Sequence, residues 1–317
     1  MAQIASFVSK LHPFQPEFKA TPVYFNASSH QALVEHHHSD NYLASNEEIP
    51  TIDYSLLLSD DTDQRSIALE LLGQACEEYG FFYLVNHTMP DDVLNNVLKQ
   101  VSNYFDPTTI EERMIYGKKG SSDKIRWGLT ANDGENREYL KVIAHPKDHV
   151  PSDPTILRNI IEEYNQEMRK IVAGLAREIS KNLGFDEDYI EKAFNMKSGF
   201  DVMAMNLYPP NSKSKGNIGL PNHTDPGFVL GDHLEILTNG KYKSHVHRVI
   251  VNNNKVQRIS VVTLHGPSLD KFIAPATEFV DDKNPMNYIG MTYKESLVAN
   301  GGNVIDVESS LEQIKIV

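Results

Sequence analysis

The chain has 317 residues, 40% of them hydrophobic, and a formal net charge of −13. This composition supplies apolar material for a sizeable core in one large or two intimately joined units, and its acidic balance argues against phosphate backbones and anionic membrane surfaces as partners. The single cysteine, Cys76, excludes an internal disulfide and suits a reducing, cytoplasmic setting, and no run of about eighteen apolar residues offers a membrane span.

In chain order, residues 1–48 read as an irregular N-terminal arm, with Pro13, Pro16 and Pro22 breaking any helix. Its first stretch lacks both acid and arginine, which favours a loosely docked arm over an organellar presequence. His38-Ser39-Asp40 sits in a polar run and reads as a solvated loop. A short strand is expected over 50–54. A helix follows over 62–79, with Ala68, Leu71, Leu72, Ala75 and Tyr79 on one face, Cys76 as a packing thiol and Gly80 as its stop. Residues 81–85 form a buried strand closed by Asn86 and His87, the latter read as a structural histidine. A second helix, over 91–104, carries the stripe Leu94, Val97, Leu98, Val101 and Phe105. The middle, 106–153, reads as loop-rich, with Arg126 and Trp127 on a surface loop.

The longest helical pattern covers 154–183, where Leu157, Ile160, Ile161, Tyr164, Met168, Ile171, Leu175, Ile179 and Leu183 recur at helical spacing before Gly184. A short helix over 186–195 precedes a strand-rich part from 200 to 266, in which Asn252-Asn253-Asn254-Lys255 is a turn. From 290 onward the chain reads as a partly helical tail.

The strand-rich part carries the chemistry. Side chains at i and i+2 share a strand face, so His223 and Asp225 can address one ion while Thr224 points away. His247, from a neighbouring strand, would complete a set of two imidazoles and one carboxylate, which leaves positions open for a bidentate co-substrate and dioxygen on ferrous iron. With one cysteine the chain has no Cys-rich zinc option. Arg258 and Ser260 repeat the i, i+2 logic, and a guanidinium fork beside a hydroxyl suits a carboxylate. His233 and His245 lie close by in sequence, and His245 shares a strand face with His247. A metal-dependent hydrolase is disfavoured, since the chain has no His-Glu-x-x-His helix and hydrolysis leaves Arg258 and Ser260 unexplained.

Several segments together resemble the plant-type 2-oxoglutarate- and Fe(II)-dependent dioxygenases: Asn206-Leu207-Tyr208-Pro209-Pro210, Leu220-Pro221-Asn222-His223-Thr224-Asp225, Gly231-Asp232-His233-Leu234-Glu235-Ile236-Leu237, His247-Arg248-Val249, and Arg258-Ile259-Ser260 running on to His265-Gly266-Pro267. Upstream, Ile49-Pro50-Thr51-Ile52-Asp53 and Cys76-Glu77-Glu78-Tyr79-Gly80-Phe81-Phe82 look like the family's N-terminal region. The resemblance implies His223, Asp225 and His247 as iron ligands, with His247 preferred to His245 because it keeps the family spacing to Arg258. It implies Arg258 and Ser260 on the distal carboxylate of 2-oxoglutarate, and Asn206 and Tyr208 as further co-substrate contacts.

The fold so implied is α+β, a double-stranded β-helix (jelly-roll) core wrapped by N-terminal helices. Its divisions are an arm over 1–48, an N-terminal dioxygenase region over 49–198, a core over 199–302 and a tail over 303–317. One departure stands out. In the family a long stretch separates the Asp ligand from the Gly-Asp segment; here Asp225 is followed almost at once by Gly231-Asp232. About three strands, roughly thirty to forty residues, are expected to be missing. The expected activity is hydroxylation or desaturation of a small specialised metabolite such as a flavonoid, alkaloid or hormone-like compound. The alternative is a shortened, inactive variant that acts only through binding. Fe(II) and 2-oxoglutarate are the expected cofactor and co-substrate, with ascorbate as reductant. The expected partners are a small-molecule substrate and dioxygen, with no nucleic acid, no membrane and a monomeric chain.

Overall fold

Apolar stripes build the helical layer where their spacing places them. In the computed structural model, residues 23–25, 49–120, 123–132, 134–210, 214, 217–228, 230–251, 255–299 and 311–316 are described. The N-terminal arm, apart from one short strand, lies outside the described residues, together with His38 and Asp40; so do 252–254 of the turn and most of the tail. Strands β1 (Val23–Phe25), β2 (Thr51–Asp53) and β3 (Phe82–Val85) form a small sheet of order β1-β3-β2, with β2 parallel and β1 antiparallel to β3. Asp53 caps helix α1 (Tyr54–Leu57) by accepting from Ser55 N–H at 2.9 Å, and Asp61 caps α2 (Thr62–Gln74) through Asp63 and Gln64 N–H. The last turn of α2 widens over Ala75–Tyr79 and stops at Gly80, whose φ of 65° suits a residue without Cβ. Cys76 is buried there, as expected of a packing thiol.

Helix α3 (Asp91–Tyr104) keeps the expected limits and buries Val93, Leu94, Val97 and Val101. A short α4 (Ile110–Met114) follows. The middle of the chain is not loop-rich. Strands β4 (Ile125–Ala131) and β5 (Asn136–His145) form an antiparallel hairpin there. Arg126 and Trp127 are buried in β4 and not on a surface loop. Glu138, buried on β5, explains the local charge: its Oε1 accepts from Trp127 Nε1 at 2.7 Å and from Arg113 Nε at 2.7 Å. Arg126 pairs with Asp123 at 3.0 Å.

Helix α5 (Thr155–Asn182) and a short α6 (Tyr189–Phe194) complete the helical layer. Strands β6 (Phe200–Tyr208) and β9 (Arg258–Gly266) join β4 and β5 in a four-stranded antiparallel sheet of order β4-β5-β6-β9. Leu140, Val142, Met203, Met205 and Leu207 on its outer face share one core with the α5 stripe of Leu157, Ile161, Met168, Ile171 and Leu175. The inner face carries Arg137, Tyr139, Asn206, Tyr208, Arg258 and Ser260, with Tyr139 opposite Asn206, Asn206 opposite Ser260 and Tyr208 opposite Arg258.

Against that inner face lies a two-stranded sheet of β7 (Ile218–His223) and β8 (His247–Ile250). Leu220, Val249 and Val251 pack on Tyr208 between the sheets, and a Cβ on Gly219 would meet the Tyr208 ring at 2.6 Å. Between β7 and β8, the family-like Gly-Asp segment is not a strand but helix α7 (Asp232–Leu237), buried along its whole length. A small pair, β10 (Phe272–Ile273) and β11 (Met291–Thr292), leads to α8 (Tyr293–Ala299) and α9 (Leu311–Ile314). The fold is thus mixed α+β, with helices on the outer side of the large sheet and the β7–β8 pair on its inner side.

Asp201 ties the outer helix to the sheet. It sits opposite His265 in the β6–β9 register, contacts His265 Nδ1 at 3.1 Å and pairs with Arg169 of α5. Burial opposes its charge, but His265 and Arg169 together hold its carboxyl below the usual range. A carboxyl so lowered stabilises the fold above its unfolded pKa of about 3.9, and that contribution is lost as pH falls through the lower folded value. Replacing Asp201 with Ala strands the half-buried Arg169 guanidinium and the buried His265 ring without their shared acceptor, so a loss of roughly 3 kcal/mol is expected in urea unfolding at pH 7. The deficit should shrink as the wild type itself weakens in acid.

Candidate metal centre

The end of the β7–β8 ladder sets His223 directly opposite His247, after a register shift between Leu220 and His223. The two rings lie 4.3 Å apart, centre to centre. Asp225 follows β7 by two residues and turns its carboxylate between them: His223 Nε2 is 3.6 Å from Oδ1, and His247 Nε2 is 3.5 Å from Oδ2. Those gaps are long for hydrogen bonds. One donor atom from each of the three residues lies within 4.8 Å of the others, and this is the one such group of ligand-type side chains among the described residues.

Backbone carbonyls aim both imidazoles. Nδ1 of His223 donates to the Pro221 carbonyl at 2.8 Å, and Nδ1 of His247 donates to the His245 carbonyl at 3.1 Å. A carbonyl only accepts, so each ring carries a proton on Nδ1 and turns its Nε2 toward Asp225. Burial, against the pull of Asp225, lowers the His223 pKa and keeps that imidazole neutral near pH 7. Two imidazoles and one carboxylate, with the outer ring nitrogens already hydrogen-bonded, make a donor set that fits ferrous iron.

Helix α7 braces the third donor. Asp232 N–H donates to the Asp225 carbonyl at 2.9 Å, and His233 N–H to Gly227 at 3.1 Å. The Asp232 carboxylate accepts from Thr224 Oγ1 at 3.3 Å and from Ser244 Oγ at 2.8 Å, so it links the chain ahead of α7 to the chain before His247. A Cβ on Gly231 would lie 2.5 Å from the Asp225 carbonyl oxygen, which reserves that position for glycine. In the sequence, the only signal for Asp232 as a brace is its place immediately after Gly231.

The remaining histidines lie elsewhere. His245 Nε2 contacts the Glu78 carbonyl at 3.3 Å, on the N-terminal side, while only its own main chain serves the metal group. His233 is buried edge-on to Tyr293 with ring centres 4.7 Å apart, and burial pushes its pKa down to about 4. On the inner sheet face, the Arg258 guanidinium carbon stands 5.0 Å from the Tyr208 ring centre, and Asn206 Nδ2 donates to Ser260 Oγ at 3.3 Å. Arg137, which no sequence motif marks, donates to Asn206 Oδ1 at 2.6 Å, and its charge adds to the effect of burial in lowering the His223 pKa.

Comparison with known proteins agrees with this geometry. The family model for the non-haem dioxygenase in morphine synthesis N-terminal region matches residues 49–164, and the 2OG-Fe(II) oxygenase superfamily model matches residues 228–267, which include His247, Arg258 and Ser260. Relatives include 2-oxoglutarate-dependent dioxygenase 19 of Oryza sativa subsp. japonica, 28% identical with 88% of this chain and 93% of the relative covered. Another is thebaine 6-O-demethylase of Papaver somniferum, also 28% identical, with 85% and 86% covered. Among solved structures, JOX2 in complex with 2OG, Fe and JA superposes with a TM-score of 0.71 at 24% identity, covering 85% of this chain and 89% of that one. The rice dioxygenase for auxin oxidation gives a TM-score of 0.66 at 19% identity, covering 85% and 100%; these structural likenesses define the fold.

The chain belongs to the plant 2-oxoglutarate- and Fe(II)-dependent dioxygenases. By class it is an oxygenase that works with Fe(II) and 2-oxoglutarate. No helix of the described residues is long and apolar enough to cross a membrane. Metal content measured after purification with Fe(II) should fall to background in His223→Ala, Asp225→Ala and His247→Ala. His245→Ala should retain it; iron loss there with retention in His247→Ala would reassign the third ligand.

Proposed function

We propose that the chain oxidises a small specialised metabolite in the cytoplasm, by hydroxylation or desaturation, with Fe(II) held by His223, Asp225 and His247. The observation that carries this reading is the convergence of three donor atoms beside a basic, hydroxyl-bearing sheet face. Iron and 2-oxoglutarate when bound supply the oxidising power, with dioxygen consumed and 2-oxoglutarate leaving as succinate and CO₂. The chain's own part is placement. Asp225 offers a carboxylate oxygen, and the two Nδ1-anchored imidazoles offer their Nε2 atoms. Arg258, its guanidinium over the Tyr208 ring, pairs with the far carboxylate of 2-oxoglutarate, and Ser260 donates its hydroxyl to the same group. Asn206 and Tyr208 shape the socket from the adjoining strand. The names of relatives, among them thebaine 6-O-demethylase and flavanone 3-dioxygenase 3, favour a specialised metabolite as substrate.

A shortened core is part of the proposal. Its support is the brief connection from Asp225 to α7, the two-stranded facing sheet among the described residues, and alignment gaps opposite this chain. The match to the rice dioxygenase, for instance, runs over 316 positions while taking in 88% of the chain. The same features favour a second reading, an interaction protein that has lost turnover. Purified protein given Fe(II), ascorbate and 2-oxoglutarate should release succinate even without substrate. A folded protein that releases none and takes up no iron decides for the second reading.

Arg258→Ala should raise the 2-oxoglutarate concentration needed for half-maximal succinate release on the order of 100-fold, the cost of a lost charge-assisted pair. Iron content should stay near wild type. Equal loss of iron and 2-oxoglutarate binding would make Arg258 a structural residue.

A further inference from the structure

The inner sheet face carries a cation that this reading leaves without a task. Arg137, on β5, has a side chain only 11% exposed. Its Nε donates to Glu135 Oε1 at 2.5 Å, its Nη1 donates to Asn206 Oδ1 at 2.6 Å, and its guanidinium carbon lies 4.8 Å from the Tyr139 ring centre. Asn206 in turn donates from Nδ2 to Ser260 Oγ at 3.3 Å. One line of hydrogen bonds therefore runs across three neighbouring strands, from Glu135 through Arg137 and Asn206 to Ser260.

The direction of that line follows from donor inventory. A guanidinium has five N–H donors and no acceptor, so Asn206 can turn only its oxygen toward Arg137. The amide orientation, which an Asn alone leaves open, is thereby fixed. Its NH₂ must then face Ser260, whose oxygen accepts. Ser260 keeps its own proton to give elsewhere. With the amide reversed, Ser260 would donate to Asn206 and present lone pairs to an incoming carboxylate, a repulsive arrangement.

We propose that Arg137 is a positioning residue for 2-oxoglutarate: by locking the Asn206 amide, it commits the Ser260 hydroxyl proton to the co-substrate carboxylate. The inference rests on the Arg258–Ser260 socket proposed above. Glu135 holds the guanidinium in place and offsets its charge, so Arg137 works through hydrogen-bond direction and not chiefly through attraction for the dianion. Lysine, also a donor without an acceptor, can keep the direction; glutamine, which offers either group, cannot.

The test is calorimetric titration of 2-oxoglutarate into the full chain loaded with Mn(II), which reads binding without turnover, with manganese content measured for every variant. Arg137→Gln should weaken binding about tenfold, as for one hydrogen bond to a charged group, while Arg137→Lys stays within about threefold of wild type. Ser260→Ala should cost about tenfold alone and nearly nothing more in the Arg137→Gln background, because members of one network do not add. Wild-type affinity in Arg137→Gln, equal weakening in Arg137→Lys, or additive penalties would overturn the proposal. Arg258→Met separates the two readings. Unchanged affinity there sinks the socket itself, whereas loss there with unchanged Arg137→Gln sinks only the role of Arg137. Should Arg137→Gln fail to hold manganese, Asn206→Ala replaces it in the cycle, and additive penalties with Ser260→Ala count against the proposal in the same way.

Discussion

The site depends on one pairing: β7 meets β8 in the register that sets His223 opposite His247. A slip of one residue would turn one imidazole to the other face of its strand. The same two strands also orient the rings, because each Nδ1 donates to the carbonyl two residues before it. Ligand direction is thus a property of local strand backbone and needs no distant side chain. Close packing guards the register, since Gly219 leaves no room against Tyr208 for any side chain.

The large sheet shows how one element serves stability and chemistry together. Its outer face is apolar and shares the core with α5. Its inner face is polar and cationic, and every residue there that bears on the site comes from β5, β6 or β9. Buried charge on these strands is matched within the fold, Glu138 by Arg113 and Trp127, Asp201 by Arg169 and His265. A net acidic chain therefore still carries the cationic side chains of Arg137 and Arg258 on that face, because local placement and not total charge sets the field there.

How much of this was legible varied with the physics. The stripe from Leu157 to Ile179 gave α5 nearly to the residue, since a long amphipathic helix repeats its signal many times. Strands β4 and β5 were missed although Glu138, Leu140 and Val142 alternate with Arg137, Tyr139 and Lys141. A strand with charge on both faces lacks the usual polar-apolar alternation, and the partners that neutralise Glu138 lie far off in sequence. The segment Asp232–Leu237 mixes polar and apolar residues over only six positions, too few for the sequence to separate strand from helix; in the structure it satisfies its backbone internally as α7. The i, i+2 spacing pointed to His223 and Asp225, the family resemblance favoured His247 over His245, and the structure brings the three together. Arg137 was not found, because its link to Ser260 passes through Asn206 across two strand boundaries.

The short brace between α7 and the Asp225 carbonyl carries a thermodynamic consequence. A ligand that binds only the assembled centre must also favour the helix that holds one of its donors. Amide protons of residues 234–238 should then exchange with deuterium more slowly once the centre is filled, and local melting of that single turn-and-a-half should set how quickly the ion escapes. Retention kinetics and helix opening become two readings of one equilibrium.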